Sequence, residues 1–173
     1  VDTVIRPGAL ADMGAIGSIY RRHVLEGLAT FEEVPPDVDE MARRFTNVTG
    51  RGLPWLVAEA DGQIVGYAYA GPFRDRSAYR FTVEDSIYLD AAAQGQGLGT
   101  RMLEQLIARS EAAGARQMLA VIGDSANAGS IGVHRRCGFE HVGIFRDVGL
   151  KFGRWVDTVM MQRPLGEGGR TLP

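Results

Sequence analysis

Residues 94–100, Gln94-Gly95-Gln96-Gly97-Leu98-Gly99-Thr100, place three glycines in five positions between a strand-like run, Val83 to Leu89, and a helix-like run, Leu98 to Ala113. A glycine loop that opens a helix leaves several backbone N–H groups without intrahelical partners, at the end where the helix dipole favours anions. Glycine has no Cβ, so a phosphate can come close to that backbone. The stretch predicts a phosphate cradle, with a plain strand-to-helix turn as the alternative. Two familiar cradles do not fit. A P-loop needs Gly-Lys and then Ser or Thr, whereas Thr100-Arg101 follow the last glycine here. A Rossmann fingerprint needs a third glycine three positions after the second and an acidic residue about twenty positions on. The glycines here are Gly95, Gly97 and Gly99, and the next strand, Gln117 to Ile122, ends in apolar residues.

Taken in order, Thr3 to Arg6 reads as a first strand stopped by Pro7-Gly8. Leu10, Met13, Ile16, Ile19, Tyr20 and Val24 then recur at helical spacing up to Gly27. A loop carries Phe31, Glu32 and Glu33, and Asp37 N-caps a second helix closed by Gly50. Trp55 to Ala60 and Gln63 to Ala70 form a hairpin through Asp61-Gly62, with Gly66 at a bulge. Gly71-Pro72 interrupts, and Phe73 to Arg80 is a polar connection holding Arg74, Arg76 and Arg80. Thr82 to Leu89 is the fourth strand; Asp85 breaks its apolar face, which a bulge would explain. After the cradle helix come a strand from Gln117 to Ile122, a short helix from Asn127 to Cys137, and two strands, Phe139 to Gly149 and Trp155 to Arg163. This order predicts an α/β chain with a mixed sheet and helices on both faces. Residues 1–165 make one domain and residues 166–173 a frayed tail.

The chain of 173 residues has a formal net charge of −2, so no basic excess points to nucleic acid. It has no apolar run long enough to span a bilayer and no signal-peptide pattern, so no membrane association is expected. The single Cys137 cannot form an internal disulfide, which suits a reducing cytoplasm. Cys137 sits at a helix C-terminus, where the dipole opposes a thiolate, and reads as a small buried residue. His134 and Cys137 lack a partner set for a metal, and none is expected.

Gln94, Gly97 and Gly99 have the spacing of the pyrophosphate loop of the GNAT superfamily of N-acetyltransferases, which this chain resembles. Asn127, Ser130, Ile131, His134, Gly138 and Phe139 resemble that superfamily's second segment, a helix that abuts coenzyme A. Tyr69 to Phe73, Tyr79, Thr82-Val83-Glu84, Tyr88 and Lys151 to Asp157 resemble the phosphinothricin and methionine sulfoximine/sulfone N-acetyltransferases. The resemblance runs from about Ile5 to Leu165. It implies the GNAT fold, with a mostly antiparallel twisted sheet. It implies transfer of acetyl from acetyl-coenzyme A to the α-amino group of a small amino-acid analogue, and a homodimer. Residues 94–100, with Ile87, Tyr88, Leu89, Asn127, Ser130 and His134, would then bind the coenzyme. Two features depart from the superfamily's pattern. His134 stands where Tyr often serves as acid to the thiolate, and Gln94 and Gln96 stand where Arg and Lys are frequent.

Amide formation needs a neutral amine, so a base must take a proton. Glu84, on one strand face with Ser86 and Tyr88 and leading to the cradle, is the candidate; a salt bridge to Arg80 or Arg76 is the alternative. His134 is the candidate acid. Arg74, Arg76 and Tyr79, just before Glu84, suit a carboxylate or phosphinate, or else are solvated surface residues. Phe31 is a candidate substrate wall, or else core packing. A non-catalytic coenzyme A-binding module and an acetyltransferase for protein or polyamine amines remain as alternatives.

Overall fold

The structure, a computed structural model, describes residues 2–173. Strands β1 (Thr3–Pro7), β2 (Trp55–Ala60), β3 (Gln63–Pro72), β4 (Thr82–Leu89), β5 (Gln117–Gly123), β6 (Glu140–Lys151) and β7 (Arg154–Pro164) form one sheet ordered β1-β2-β3-β4-β5-β7-β6. Helices α1 (Met13–Glu26) and α2 (Val38–Gly50) cover one face; α3 (Leu98–Ala112) and α4 (Ala128–Arg136) cover the other. Alternation along the strands builds both cores. Trp55, Val57 and Tyr67 face α1 and α2, while Leu56, Ala58, Ala68 and Val83 face α3.

Every neighbouring pair is antiparallel except β4 and β5. That parallel ladder covers only Thr82–Glu84 against Gln117–Leu119, after which the two strands part. Beyond Glu84, β4 stays paired with β3 on one side only. The gap is the structural opening around which the site is built.

Two expectations are corrected. β3 does not stop at Ala70: Gly71 pairs with Glu84 and Pro72 with Val83. Pairing with β2 has already ended at Tyr69, so Pro72 lies where only one neighbouring strand needs hydrogen bonds. β4 has no bulge at Asp85, since its register against β3 is unbroken. The bulge is in β3, where Ala58 pairs with Gly66 and Glu59 with Ile64, leaving Val65 over. There Gly66 admits the Leu89 side chain, 2.5 Å from where a Cβ would stand. After Leu165, Arg116 donates three hydrogen bonds to the chain's last residues, to the Gly168 and Leu172 carbonyls and the Thr171 hydroxyl.

Candidate active site

A cleft of about 250 Å³ opens where β4 and β5 part, lined by Phe31, Glu84, Asp85, Ser86, Tyr88, Gly123 and His134 among others. A second cavity, of about 350 Å³, is lined by Leu89, Gln94, Gly95, Gly97, Gly99, Thr100, Val133 and Arg136. Ala29, Ile87, Tyr88, Asn127, Ser130 and His134 border both, so the two are one continuous groove. Because the groove runs through a gap in the sheet, side chains from both sheet faces reach it.

At the cradle end, Gly97 is the N-cap of α3, with φ of 78° and no side chain capping the helix. The leading N–H groups of α3 therefore keep their capacity to bind an anion. A Cβ on Gly95 or Gly97 would meet open space, so the backbone there faces the groove bare. Gln96 and Leu98 line neither cavity: the Gln96 amide turns back to the Ala92 carbonyl at 2.8 Å, and Leu98 is in the core. Only their backbone is placed to contribute. Asn127 caps α4 by accepting from the Ser130 N–H at 3.1 Å, which fixes the helix along the groove. His23 borders the cradle end and bonds the Leu89 carbonyl through Nε2 at 2.9 Å.

Glu84 and Asp85 point to opposite faces of β4. Burial, and then the neighbouring Asp85 charge, push the Glu84 carboxyl up from 4.5 to about 7. Among the described residues Glu84 has no ion-pair partner, so the expected alternative of a bridge to Arg80 or Arg76 is not formed. Asp85 instead faces α4, where its Oδ2 lies 2.8 Å from His134 Nε2. The other ring nitrogen, Nδ1, lies 2.7 Å from the Ser130 carbonyl, which can only accept. Burial acts to lower the His134 pKa, but the charge and hydrogen bond of Asp85, with the Ser130 carbonyl, raise it overall. Both ring nitrogens thus have partners, and the His134 ring, which borders both cavities, is held against Asp85 beside Glu84. Asp85 Oδ1 is buried at the same wall, without a hydrogen-bond partner among the described residues.

Arg74, Arg76 and Tyr79 line neither cavity. A one-turn 3-10 helix, Ser77–Tyr79, lies in the connection between the ends of β3 and β4, and Arg74 lies 4.9 Å from the Phe73 ring centroid and 5.5 Å from that of Tyr79. The Arg76 carbonyl accepts from the Tyr79 N–H at 2.9 Å, while its guanidinium makes no hydrogen bond or ion pair among the described residues. Phe31, by contrast, does reach the cleft, from the loop between α1 and α2. Sequence reading missed Asp85 as the partner of His134; its signal was one carboxylate on an otherwise apolar strand face.

The model of the Acetyltransferase (GNAT) family matches residues 19–139. A phosphinothricin N-acetyltransferase of Alcaligenes faecalis is 56% identical over 162 residues, covering 94% of this chain and 82% of that protein. An L-methionine sulfoximine/L-methionine sulfone acetyltransferase of Pseudomonas aeruginosa is 42% identical over 91% of this chain and 92% of its own length. Among solved structures, a GNAT superfamily phosphinothricin acetyltransferase from Sinorhizobium meliloti, in complex with AcCoA, superposes with a TM-score of 0.96 at 50% identity, covering 100% of this chain and 94% of that one. The chain belongs to the GNAT acetyltransferase family and shares the overall fold of that solved structure.

Proposed function

We propose that the protein transfers the acetyl group of acetyl-coenzyme A to the α-amino group of small amino-acid analogues of the phosphinothricin, methionine sulfoximine and methionine sulfone type. One observation carries this reading. Glu84, a carboxyl with a pKa of about 7, stands at the split between β4 and β5, at the far end of a groove that begins in a bare glycine cradle.

The residues present fit the coenzyme. The α3 N-terminus and the open backbone at Gly95 and Gly97 suit a pyrophosphate, with Gln94, Gly99 and Thr100 beside them. Arg136 adds a positive charge that Gln94 and Gln96 do not. Ile87, Tyr88, Leu89, Asn127 and Ser130 line the way to Glu84. When bound, acetyl-coenzyme A supplies an activated acyl group as a thioester. Glu84 takes the proton that an α-amino group still carries near neutral pH. A carboxyl with a pKa near 7 is half ionised at that pH, which suits a base. Beyond Glu84 the β5 ladder has ended, so backbone N–H groups of β4 can donate in the groove. Asp85, held by His134, keeps a second charge beside Glu84 and so keeps its pKa high.

Arg76 is the residue we assign to the substrate's carboxylate, with Arg74 and Tyr79 beside it and Phe31 as the apolar wall. Its guanidinium is uncommitted, and its connection leaves β3 just past the Gly71–Glu84 pair. The protein acts as a homodimer in the cytoplasm, and acetylation removes the amine charge by which such analogues pass for amino acids. The test is a substrate panel at fixed acetyl-coenzyme A, with released thiol measured. Turnover of methionine sulfone, methionine sulfoximine or phosphinothricin well above that of polyamines and peptides supports the reading. Coenzyme A binding without thiol release from any amine would mark a binding module instead.

A further inference from the structure

Lys151 ends β6 and is only 2% exposed. A lysine is rarely buried unless its ammonium is satisfied. Here Nζ donates to the Thr30 carbonyl at 2.7 Å and lies 5.1 Å from the Phe152 ring centroid. Burial lowers its pKa, with Glu33 and Glu32 acting in the opposite direction. Thr30 precedes Phe31, the aromatic wall of the cleft.

Two residues before Lys151, and so on the same strand face, Gly149 lies against Phe31. A Cβ on Gly149 would overlap the Phe31 ring. Gly149 does not adopt a left-handed backbone, so what glycine provides here is space. The loop is gripped from the opposite side too. The Tyr20 hydroxyl bonds Thr30 Oγ1 at 2.8 Å and also the Glu32 carboxylate. Arg44 on α2 holds both Glu32 oxygens, at 2.6 and 3.0 Å.

We infer that Lys151 and Gly149 are positioning residues for the amine substrate: the buried ammonium pins the Thr30 carbonyl and the bare Gly149 backbone seats the Phe31 ring, together fixing how far that wall stands from Glu84. They act through Phe31, touch no part of the coenzyme groove, and set the size of substrate the cleft accepts. This rests on the reading of the cleft as an amino-acid N-acetyltransferase site.

Two readouts test it. Lys151→Met keeps the stem and removes the donor; Gly149→Ala keeps the donor and displaces the ring. In ligand-free protein, hydrogen exchange of amides 29–34 should quicken at least about tenfold in Lys151→Met, the scale of a lost charged hydrogen bond, while α3 amides stay unchanged. In both variants KM for methionine sulfone should rise about tenfold, with KM for acetyl-coenzyme A within about twofold of the parent. If Lys151→Met does not fold, Gly149→Ala carries the KM comparison alone. Unchanged exchange in Lys151→Met, or the two KM values rising together, overturns the inference. If the parent acetylates none of the amino-acid analogues, the functional reading fails separately, and the exchange measurement still decides whether Lys151 holds the loop.

Discussion

Glu84 and Asp85 are adjacent in sequence but face opposite sides of one strand, which lets two carboxyls share a cleft wall with only Asp85 bonded to His134. Glu84→Gln should lower turnover about 10²- to 10⁴-fold, the usual worth of acid–base assistance, and leave acetyl-coenzyme A affinity nearly unchanged. A loss under about threefold would assign Glu84 to structure. The same substitution should act on stability with the opposite sign. Between 4.5 and about 7 the folded Glu84 holds a proton that the unfolded chain has lost, so its contribution to stability falls as pH rises. Melting at about pH 8 should therefore show Glu84→Gln stabilised, by roughly 3 kcal/mol at most, and melting at about pH 4 should show no gain. In the parent, kcat/KM should rise through about 7 as Glu84 ionises. Asp85→Asn should move that limb to lower pH, though not back to 4.5, because burial is the larger cause and remains. A limb that stays in place would show that Asp85 does not reach Glu84 electrostatically. Arg76→Ala should depress kcat/KM for methionine sulfone at least about tenfold, as expected of a charged hydrogen bond to a carboxylate. An amine lacking the carboxylate should lose much less, and equal fractional losses would leave Arg76 a surface residue.

At the level of elements, most strand and helix bounds were legible because each carries its own local signal. Asp37 caps α2 through the Glu40 N–H, and Asp61-Gly62 turns the β2–β3 hairpin with φ of 51° and 75°. What a strand does to a neighbour far along the chain was not legible. The end of the β4–β5 ladder at Glu84 depends on where β5 docks, and the Asp85–His134 bond joins residues 49 apart. The placement of Arg74, Arg76 and Tyr79 outside both cavities depends on the extra pairing of Gly71 and Pro72. The cradle is testable because strain and access can be separated. Gly62 and Gly97 have nearly the same φ, 75° and 78°, and a Cβ at either meets open space, but only Gly97 borders the groove. Each Gly→Ala change should cost about 1–2 kcal/mol of stability through left-handed strain. Titration calorimetry should show acetyl-coenzyme A affinity reduced at least about tenfold in Gly97→Ala and unchanged in Gly62→Ala. Equal affinities in the two variants would show that the loop is only a turn.

Across the whole molecule, the β6–β7 hairpin stands out because its outer face is apolar. Leu150 and Trp155 are cross-strand neighbours and are 57% and 62% exposed, with Phe152 beside them at the turn, 56% exposed. Such a cluster on one hairpin is unusual on a monomer, where large apolar side chains stand exposed mostly one at a time. β6 is also an edge strand, with one side of its backbone unpaired. A second copy of the chain covering this hairpin would bury both features, and it would support from outside the same strand end that holds Lys151 against Thr30. Sedimentation should accordingly find the parent as a dimer. Trp155→Glu places a charge at the centre of the covered face and should weaken association at least about 100-fold, on the scale of an interface hot spot. The variant should still fold, because Trp155 contributes little to either core. Its monomer should bind acetyl-coenzyme A as the parent does, since the cradle lies on α3, while KM for methionine sulfone rises as the Phe31 wall loosens. A parent that sediments as a monomer, or a Trp155→Glu dimer as tight as the parent's, would rule out this hairpin as the contact.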